Sequence, residues 1–122
     1  MATCSALIGS GDVMIYANQS IDNVVFATGK ANIIIDNMII NGAISGNRTN
    51  GVNAYGISLN STPNNTISNS KIYNNDVGIW LQGASNNFLT GIQAYNNSNA
   101  AIYYLSNASY NILNNAQVYD NG

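Results

Sequence analysis

The stretch NTISNSKIYNN, Asn65–Asn75, decides the fold because it recurs twice further along the chain. The later copies are NFLTGIQAYNN at Asn87–Asn97 and NILNNAQVYDN at Asn111–Asn121. Each copy begins and ends on Asn and carries an aliphatic residue at its third and eighth places. A short unit that returns at a near-constant period indicates a repeat protein, in which each unit buries its apolar face against the next.

Two weaker copies precede these three. One runs from Asn32 to Gly42, and a fragment of another lies at Ile15–Asn18. The second aliphatic place then falls at residues 15, 39, 72, 94 and 118, with spacings of 24, 33, 22 and 24. The longest spacing predicts a surface loop insertion at residues 41–54 of a single domain that spans residues 1–122.

A second apolar segment lies between the copies, at residues 23–26, 56–59, 78–81 and 101–104. Alternating β-branched residues favour strands, and no apolar stripe is long enough for a helix. Stacked units would rise by about 4.8 Å per coil, so equivalent side chains would lie over one another. The expected inward ladders are Ile34, Ile67, Leu89 and Leu113; Ile15, Ile39, Ile72, Ala94 and Val118; Val24, Ile57, Ile79 and Ile102; and Phe26, Leu59, Leu81 and Tyr104.

The asparagines are predicted to stack in ladders of their own. The first ladder is Asn32, Asn65, Asn87 and Asn111, and the second is Asn75, Asn97 and Asn121. A side-chain amide both donates and accepts, so a column of Asn can hydrogen-bond from coil to coil. Asn also tolerates the left-handed backbone that tight turns between strands require.

These stretches resemble the repeats of parallel β-helix proteins, including the NosD-like and the carbohydrate-binding and sugar-hydrolase (CASH) groups. The matching stretches are Asn32 to Leu59, Asn65 to Leu81, Asn87 to Tyr104 and Asn111 to Asn121. The resemblance implies an all-β fold, a right-handed single-stranded parallel β-helix (β-solenoid) of about five coils, with 22–24 residues per coil. It does not imply an activity, because one fold carries many functions.

Composition excludes several kinds of function. The chain is 46% hydrophobic but only 7% charged, with three Lys and Arg residues and no His. Three basic residues are too few for nucleic-acid binding, and without His neither a Ser-His-Asp triad nor a typical zinc site can form. No apolar run approaches the roughly 20 residues of a membrane span. We therefore expect no nucleic-acid partner, no membrane span and no cofactor.

The five acids do not predict an active site. Asp36 is expected at the Asn69 position, Asp120 at the Asn74 position, and Asp76 directly after the Asn75 column. Since no two acids share a column, neither a general acid/base pair nor a calcium cage is indicated. We expect no catalytic residue and no metal ligand, and we interpret the chain as a non-enzyme.

Two features remain as candidates for binding and modification. Tyr16, Tyr73, Tyr95 and Tyr119 form a predicted outward stripe, with Ile40 in the second coil, that could stack on sugar rings or cover a partner. N-x-S/T sequons make Asn47, Asn60, Asn64, Asn96 and Asn107 candidate glycosylation sites, whereas Asn18 aligns with the inward Asn75 column and should stay unmodified.

The two chain ends predict self-association. The C-terminal segment stops in mid-repeat, and Ala6-Leu7-Ile8 could supply the missing 78–81-type strand of a shared turn. An uncapped solenoid exposes strand edges and core, and a head-to-tail contact that does not close gives a filament. The preferred interpretation is a non-catalytic structural protein of the cell exterior or surface, stacking end to end with its own copies. The alternatives are a carbohydrate-binding or polysaccharide-modifying module, with a glycan as partner, and a fragment of a larger adhesin or viral spike.

Overall fold

The computed structural model of the protein describes residues 5–16, 23–44 and 54–122. The strands are β1 (Ser5–Tyr16), β2 (Val25–Thr28), β3 (Ile33–Asn41), β4 (Tyr55–Asn60), β5 (Thr66–Ser68), β6 (Lys71–Tyr73), β7 (Val77–Gln82), β8 (Phe88–Thr90), β9 (Gln93–Tyr95), β10 (Ala100–Leu105), β11 (Ile112–Asn114) and β12 (Gln117–Tyr119). No helix occurs in these ranges.

The strands stack in three columns, which we call faces 1 to 3. Face 1 contains the first halves of β1 and β3 followed by β5, β8 and β11. Face 2 contains the second halves of β1 and β3 followed by β6, β9 and β12. Face 3 contains β2, β4, β7 and β10. Every pairing is parallel and joins one coil to the next, so the chain forms a parallel β-solenoid.

The core is a set of aliphatic ladders along the inside of these faces. Ile67 and Leu89 pair on face 1, and Ile72 and Ala94 pair on face 2. On face 3, Ile57 pairs with Ile79 and Leu59 with Leu81. All eight of these side chains are completely buried. The predicted all-β solenoid is therefore confirmed, although the described ranges form about four turns rather than the expected five coils.

Strands β2 and β3 are shifted by one residue from the predicted register, whereas Ile15 keeps its predicted column with Ile72. The step across the insertion is 32 residues, not 33. Ile35 and Ile40 therefore point inward and are buried, while the predicted Ile34 and Ile39 are only partly buried. On face 3, Val25 instead of Val24 pairs with Ile57, and Ala27 instead of Phe26 pairs with Leu59. A slip of one residue exchanges the two sides of a strand, which explains why Phe26 lies outside.

The corners between faces are built from left-handed residues. All residues with positive φ in the described ranges fall into four columns: Gly29, Ser61, Gly83 and Asn107; Asn32, Asn64, Asn86 and Tyr110; Gly11, Asn37, Asn69, Gly91 and Asn115; and Gly42, Asn74, Asn96 and Asp120. Hydrogen bonds between coils continue through these corners, as in Asn69 N–H to Thr90 O at 3.0 Å. Gly and Asn are the residues that reach this conformation at least cost, which explains their frequency here.

Candidate functional site

The first asparagine ladder lies inside the corner that leads into face 1. The Nδ2 atom of Asn65 donates to Oδ1 of Asn87 at 2.8 Å, and Asn87 donates to Asn111 in the same way at 2.8 Å. Each acceptor oxygen also takes the backbone N–H of the asparagine in the neighbouring coil, at 2.9 Å. The ladder thus joins coils through side chain and backbone together.

The predicted place of Asn32 in this ladder is wrong by one residue. The backbone N–H of Ile33, not of Asn32, donates to Oδ1 of Asn65, at 2.8 Å. Asn32 lies in the left-handed corner column with Asn64 and Asn86. The cause is the same register shift that moves the apolar ladders.

The second ladder lies at the corner between faces 2 and 3. Nδ2 of Asn75 donates to Oδ1 of Asn97 at 3.0 Å, and Nδ2 of Asn97 donates to Oδ1 of Asn121 at 2.9 Å. The space for these amides comes from Gly56 and Gly78 on face 3. A Cβ atom on Gly56 would lie 2.9 Å from Nδ2 of Asn75, and one on Gly78 would lie 3.0 Å from Nδ2 of Asn97.

The predicted tyrosine stripe is a stack. The rings of Tyr73 and Tyr95 are 4.8 Å apart at 7°, and those of Tyr95 and Tyr119 are 5.0 Å apart at 2°. Asn41, rather than Ile40, occupies the layer between Tyr16 and Tyr73. Burial, and then the adjacent Tyr73 and Tyr119, raise the pKa of Tyr95. Because each ring covers its neighbour's face, the stack offers mainly ring edges to a ligand.

A second aromatic surface lies on the outer side of face 3, and we call it the face 3 patch (Phe26, Tyr55, Trp80 and Tyr103). Trp80 stacks on Tyr55 at 4.8 Å and 17°, and Trp80 pairs with Tyr103 in the next coil. Phe26 and Tyr103 are 58% and 46% exposed. Phe26 is in the same outward column as Trp80 and Tyr103, with Ser58 in the layer between Phe26 and Trp80.

The last described layer leaves core positions open. Leu113 and Val118 continue the inward ladders of Leu89 and Ala94, yet they are 45% and 50% exposed. Their counterparts one layer down are completely buried. This layer therefore presents an apolar surface and the strand edges of β10, β11 and β12.

The first layer presents a matching apolar surface. A cavity of about 430 Å³ opens between β1 and β2, and its lining includes Leu7, Val25 and Ile35. The segment Ala6-Leu7-Ile8, expected to act as a 78–81-type strand, instead pairs with Ile34–Asp36 on face 1. The pairing of β1 with β3 is irregular between Ile8 and Val13, where β1 passes from face 1 to face 2.

The described acids lie at separate places, and Asp36 and Asp76 accept hydrogen bonds from neighbouring coils. Asp36 pairs with Ser68, one residue from the expected Asn69 position, and accepts hydrogen bonds from Ser68 Oγ at 2.6 Å and Asn69 Nδ2 at 2.9 Å. These two hydrogen bonds, the Ser68 one first, lower the pKa of Asp36. Asp120 lies in the corner column of Asn74, as expected. Across the described ranges, no three Cys, His, Asp or Glu residues are grouped so that they could hold a metal ion.

Asp76 fastens both ends of the insertion to the third coil. Its backbone N–H donates to Ala43 O at 2.7 Å, and its buried carboxylate accepts the N–H of Ala54 at 3.2 Å. Ser98 Oγ adds a hydrogen bond at 3.1 Å from the next coil. Asp76 thus holds Ala43 and Ala54 in register with its own coil. Residues 45–53, which include the predicted acceptor Asn47, lie outside the described ranges, as does Asn18.

The remaining sequon asparagines differ in their exposure. Asn64, Asn96 and Asn107 are exposed members of the left-handed corner columns, and Asn60 is partly buried at the end of β4. The corners therefore place three candidate acceptors on the outside of the solenoid. Whether any of them carries a glycan stays a prediction.

Comparison with known proteins identifies the repeat. A family model described as a right handed beta helix region matches residues 5–122. No curated protein and no solved structure matches the chain. In the part of the chain that the structure covers, no helix has the length and apolarity to span a membrane.

Proposed function

The chain belongs to the right-handed β-helix family, and we propose from this that it is a non-catalytic structural β-solenoid of an extracellular or cell-surface assembly. In this proposal copies stack end to end into a filament. The exterior location is supported by the exposed sequon asparagines at the corners. The non-catalytic role is supported by the lack of His and by the separation of the described acids into different columns.

The observation that carries the proposal is the half-exposed core of the last described layer. Val118 and Leu113 occupy inward positions that are fully buried one coil below. If the next copy covered each side chain, the contact would be stabilised by roughly 25 cal/mol for each Å² of apolar surface removed from water. The exposed edges of the parallel strands would gain hydrogen-bond partners in the same step.

The side-chain ladders also define how the last layer of one copy would align with the first layer of the next. Continuing face 2 places Val118 beside Ile15 of the next copy and Tyr119 beside its Tyr16, because these residues occupy the same columns. Continuing face 1 places Leu113 beside Leu7. Within the described ranges, face 3 has four strands and faces 1 and 2 have five layers each.

Val118→Asp is expected to abolish filaments, since it would place a charge against Ile15 of the next copy. Negative-stain microscopy and sedimentation of the 122-residue chain measure this. The matched control is Gln117→Lys, one residue away in the outward column that already contains Lys71 and Gln93. This control should assemble like the original chain. Dispersed monomers of the original chain at high concentration would refute end-to-end stacking, and filaments of Val118→Asp would refute the proposed register.

A second candidate function is glycan binding, and the face 3 patch favours it. Exposed aromatic rings on a rigid sheet are suited to stacking on sugar rings. We expect any such binding to be lost in Tyr103→Ala and kept in Tyr73→Ala, because the Tyr103 ring is 46% exposed, whereas the faces of the Tyr73 and Tyr95 rings cover each other. A glycan array with both variants measures this. An array on which the original chain binds no glycan would exclude the candidate.

A further inference from the structure

The tyrosine stack brings three oxidisable rings into fixed register. Tyr73, Tyr95 and Tyr119 are direct strand partners, and their rings are nearly parallel at 4.8 and 5.0 Å. In this arrangement the faces of neighbouring phenol rings lie against each other. Groups held at such distances react with a much higher effective concentration than groups that meet by diffusion.

We propose that Tyr73, Tyr95 and Tyr119 form an oxidative cross-linking site, at which hydrogen peroxide used by a peroxidase couples neighbouring rings into dityrosine. Each of two tyrosines loses one electron and one proton, and the two phenoxyl radicals join through a new bond between ortho carbons. The hydrogens on those carbons then move to the two oxygens as both rings become aromatic again. The two hydrogen atoms removed in total reduce one peroxide to two waters.

The proposal goes beyond end-to-end stacking because the coupling takes place within one chain. Of the two pairs, Tyr95 and Tyr119 have more freedom to approach, since Tyr119 is in the last described layer and covered by a ring on one side. The new bond would tie the last coil to the one beneath it, across 24 residues of chain. That span equals the step between these two coils along the second asparagine ladder. Closing a loop of this length restricts the unfolded chain, so the cross-linked protein should unfold at higher denaturant concentration.

The proximity of the stacked rings and the solvent exposure of the other tyrosines predict different cross-linked products. Tyr110 is 83% exposed and Tyr16 is 64% exposed, so they are more accessible to an oxidant than the stacked tyrosines. If accessibility determined the reaction, these two residues would couple between molecules. If the stack determines it, the product is a cross-link between the peptides that contain Tyr95 and Tyr119, or Tyr73 and Tyr95.

The test is treatment of the dilute chain with a peroxidase and hydrogen peroxide. Dityrosine fluorescence gives the yield, and mass spectrometry of digested protein finds cross-linked peptides that lack two hydrogen atoms. Tyr95→Phe keeps the ring but removes the phenol shared by both pairs, so we expect it to abolish the intramolecular product. Tyr110→Phe should leave that product unchanged, and melting curves of both variants verify folding.

Three results would overturn the proposal: an undiminished yield in Tyr95→Phe, cross-links that map mainly to Tyr110, or an equal yield of the stacked pairs in urea-unfolded protein. None of these depends on filaments. Failure of end-to-end stacking and failure of cross-linking are therefore separate outcomes.

Discussion

Replacing Asn97 by alanine is expected to lower the free energy of unfolding by about 3 kcal/mol, since it leaves two buried donors of Asn75 without an acceptor. Oδ1 of Asn97 accepts the backbone N–H of Asn75 at 3.2 Å and its Nδ2 at 3.0 Å. Asn97 is 1% exposed, so water cannot readily replace the lost acceptor. Urea unfolding followed by circular dichroism measures the change.

The matched control for this prediction is Asn99→Ala. Asn99 is exposed, and its backbone N–H donates to Asp76 O at 2.8 Å, a bond that the substitution keeps. Its unfolding free energy should change by less than about 0.5 kcal/mol, as is usual for surface positions. Equal effects of the two substitutions would mean that the second asparagine ladder contributes little to stability.

Gly78→Ala is expected to destabilise the protein by about 3 kcal/mol, the upper end of the usual cost of overfilling a packed interior. The added Cβ would lie 2.5 Å from the carbonyl oxygen of Ala101 and 3.0 Å from Nδ2 of Asn97. The first of these atoms is backbone of the next strand, so it cannot move without breaking the pairing of β7 with β10. The substitution therefore disturbs the sheet and the ladder at once.

Gly29→Ala is the matched control, because Gly29 has a left-handed backbone but open space beside it, whereas Gly78 lacks that space. Gly29 has a φ of 60°, but no atom lies within 4 Å of an added Cβ. Its cost should be only the left-handed strain of about 1 kcal/mol. Thermal unfolding of the two variants compares these costs. A larger loss for Gly29→Ala would show that corner conformation matters more than the space beside the ladder.

The last three coils could be predicted from the sequence almost residue by residue. Ile67, Leu89 and Leu113 return at steps of 22 and 24 residues, each two places after a ladder asparagine and directly before a polar residue, so the repeat itself fixes the register. In the second coil, Ile33-Ile34-Ile35 and Ile39-Ile40 are apolar at adjacent places. Alternation cannot then tell the inward residue from the outward one, and the insertion hides the true step of 32 residues.

The outer surfaces are harder to predict from the sequence than the core, because they depend on the orientation of neighbouring side chains. The sequence placed Tyr73, Tyr95 and Tyr119 in one column, but ring orientation comes from the distance between coils. The role of Gly56 and Gly78 was missed, although both recur in front of an Ile in the repeat. The recurrence of glycine at this place of the repeat indicates a position where no side chain fits. The fastening of the insertion by Asp76 had no counterpart in the repeat, since its partner Ala54 lies at the end of the insertion.

The hydrogen bonds at the corners have a mechanical consequence. Bonds such as Ser61 N–H to Gln82 O and Asn86 N–H to Ser109 O run parallel to the axis, as do those between strands. A force applied across a whole layer would stretch all its bonds together, whereas a force on a chain terminus would peel off one coil at a time. The protein should therefore be stiff as a segment within a stack and weak when pulled by its ends. Under tension across the layers, we expect it to open first between β1 and β3, where pairing is irregular between Ile8 and Val13.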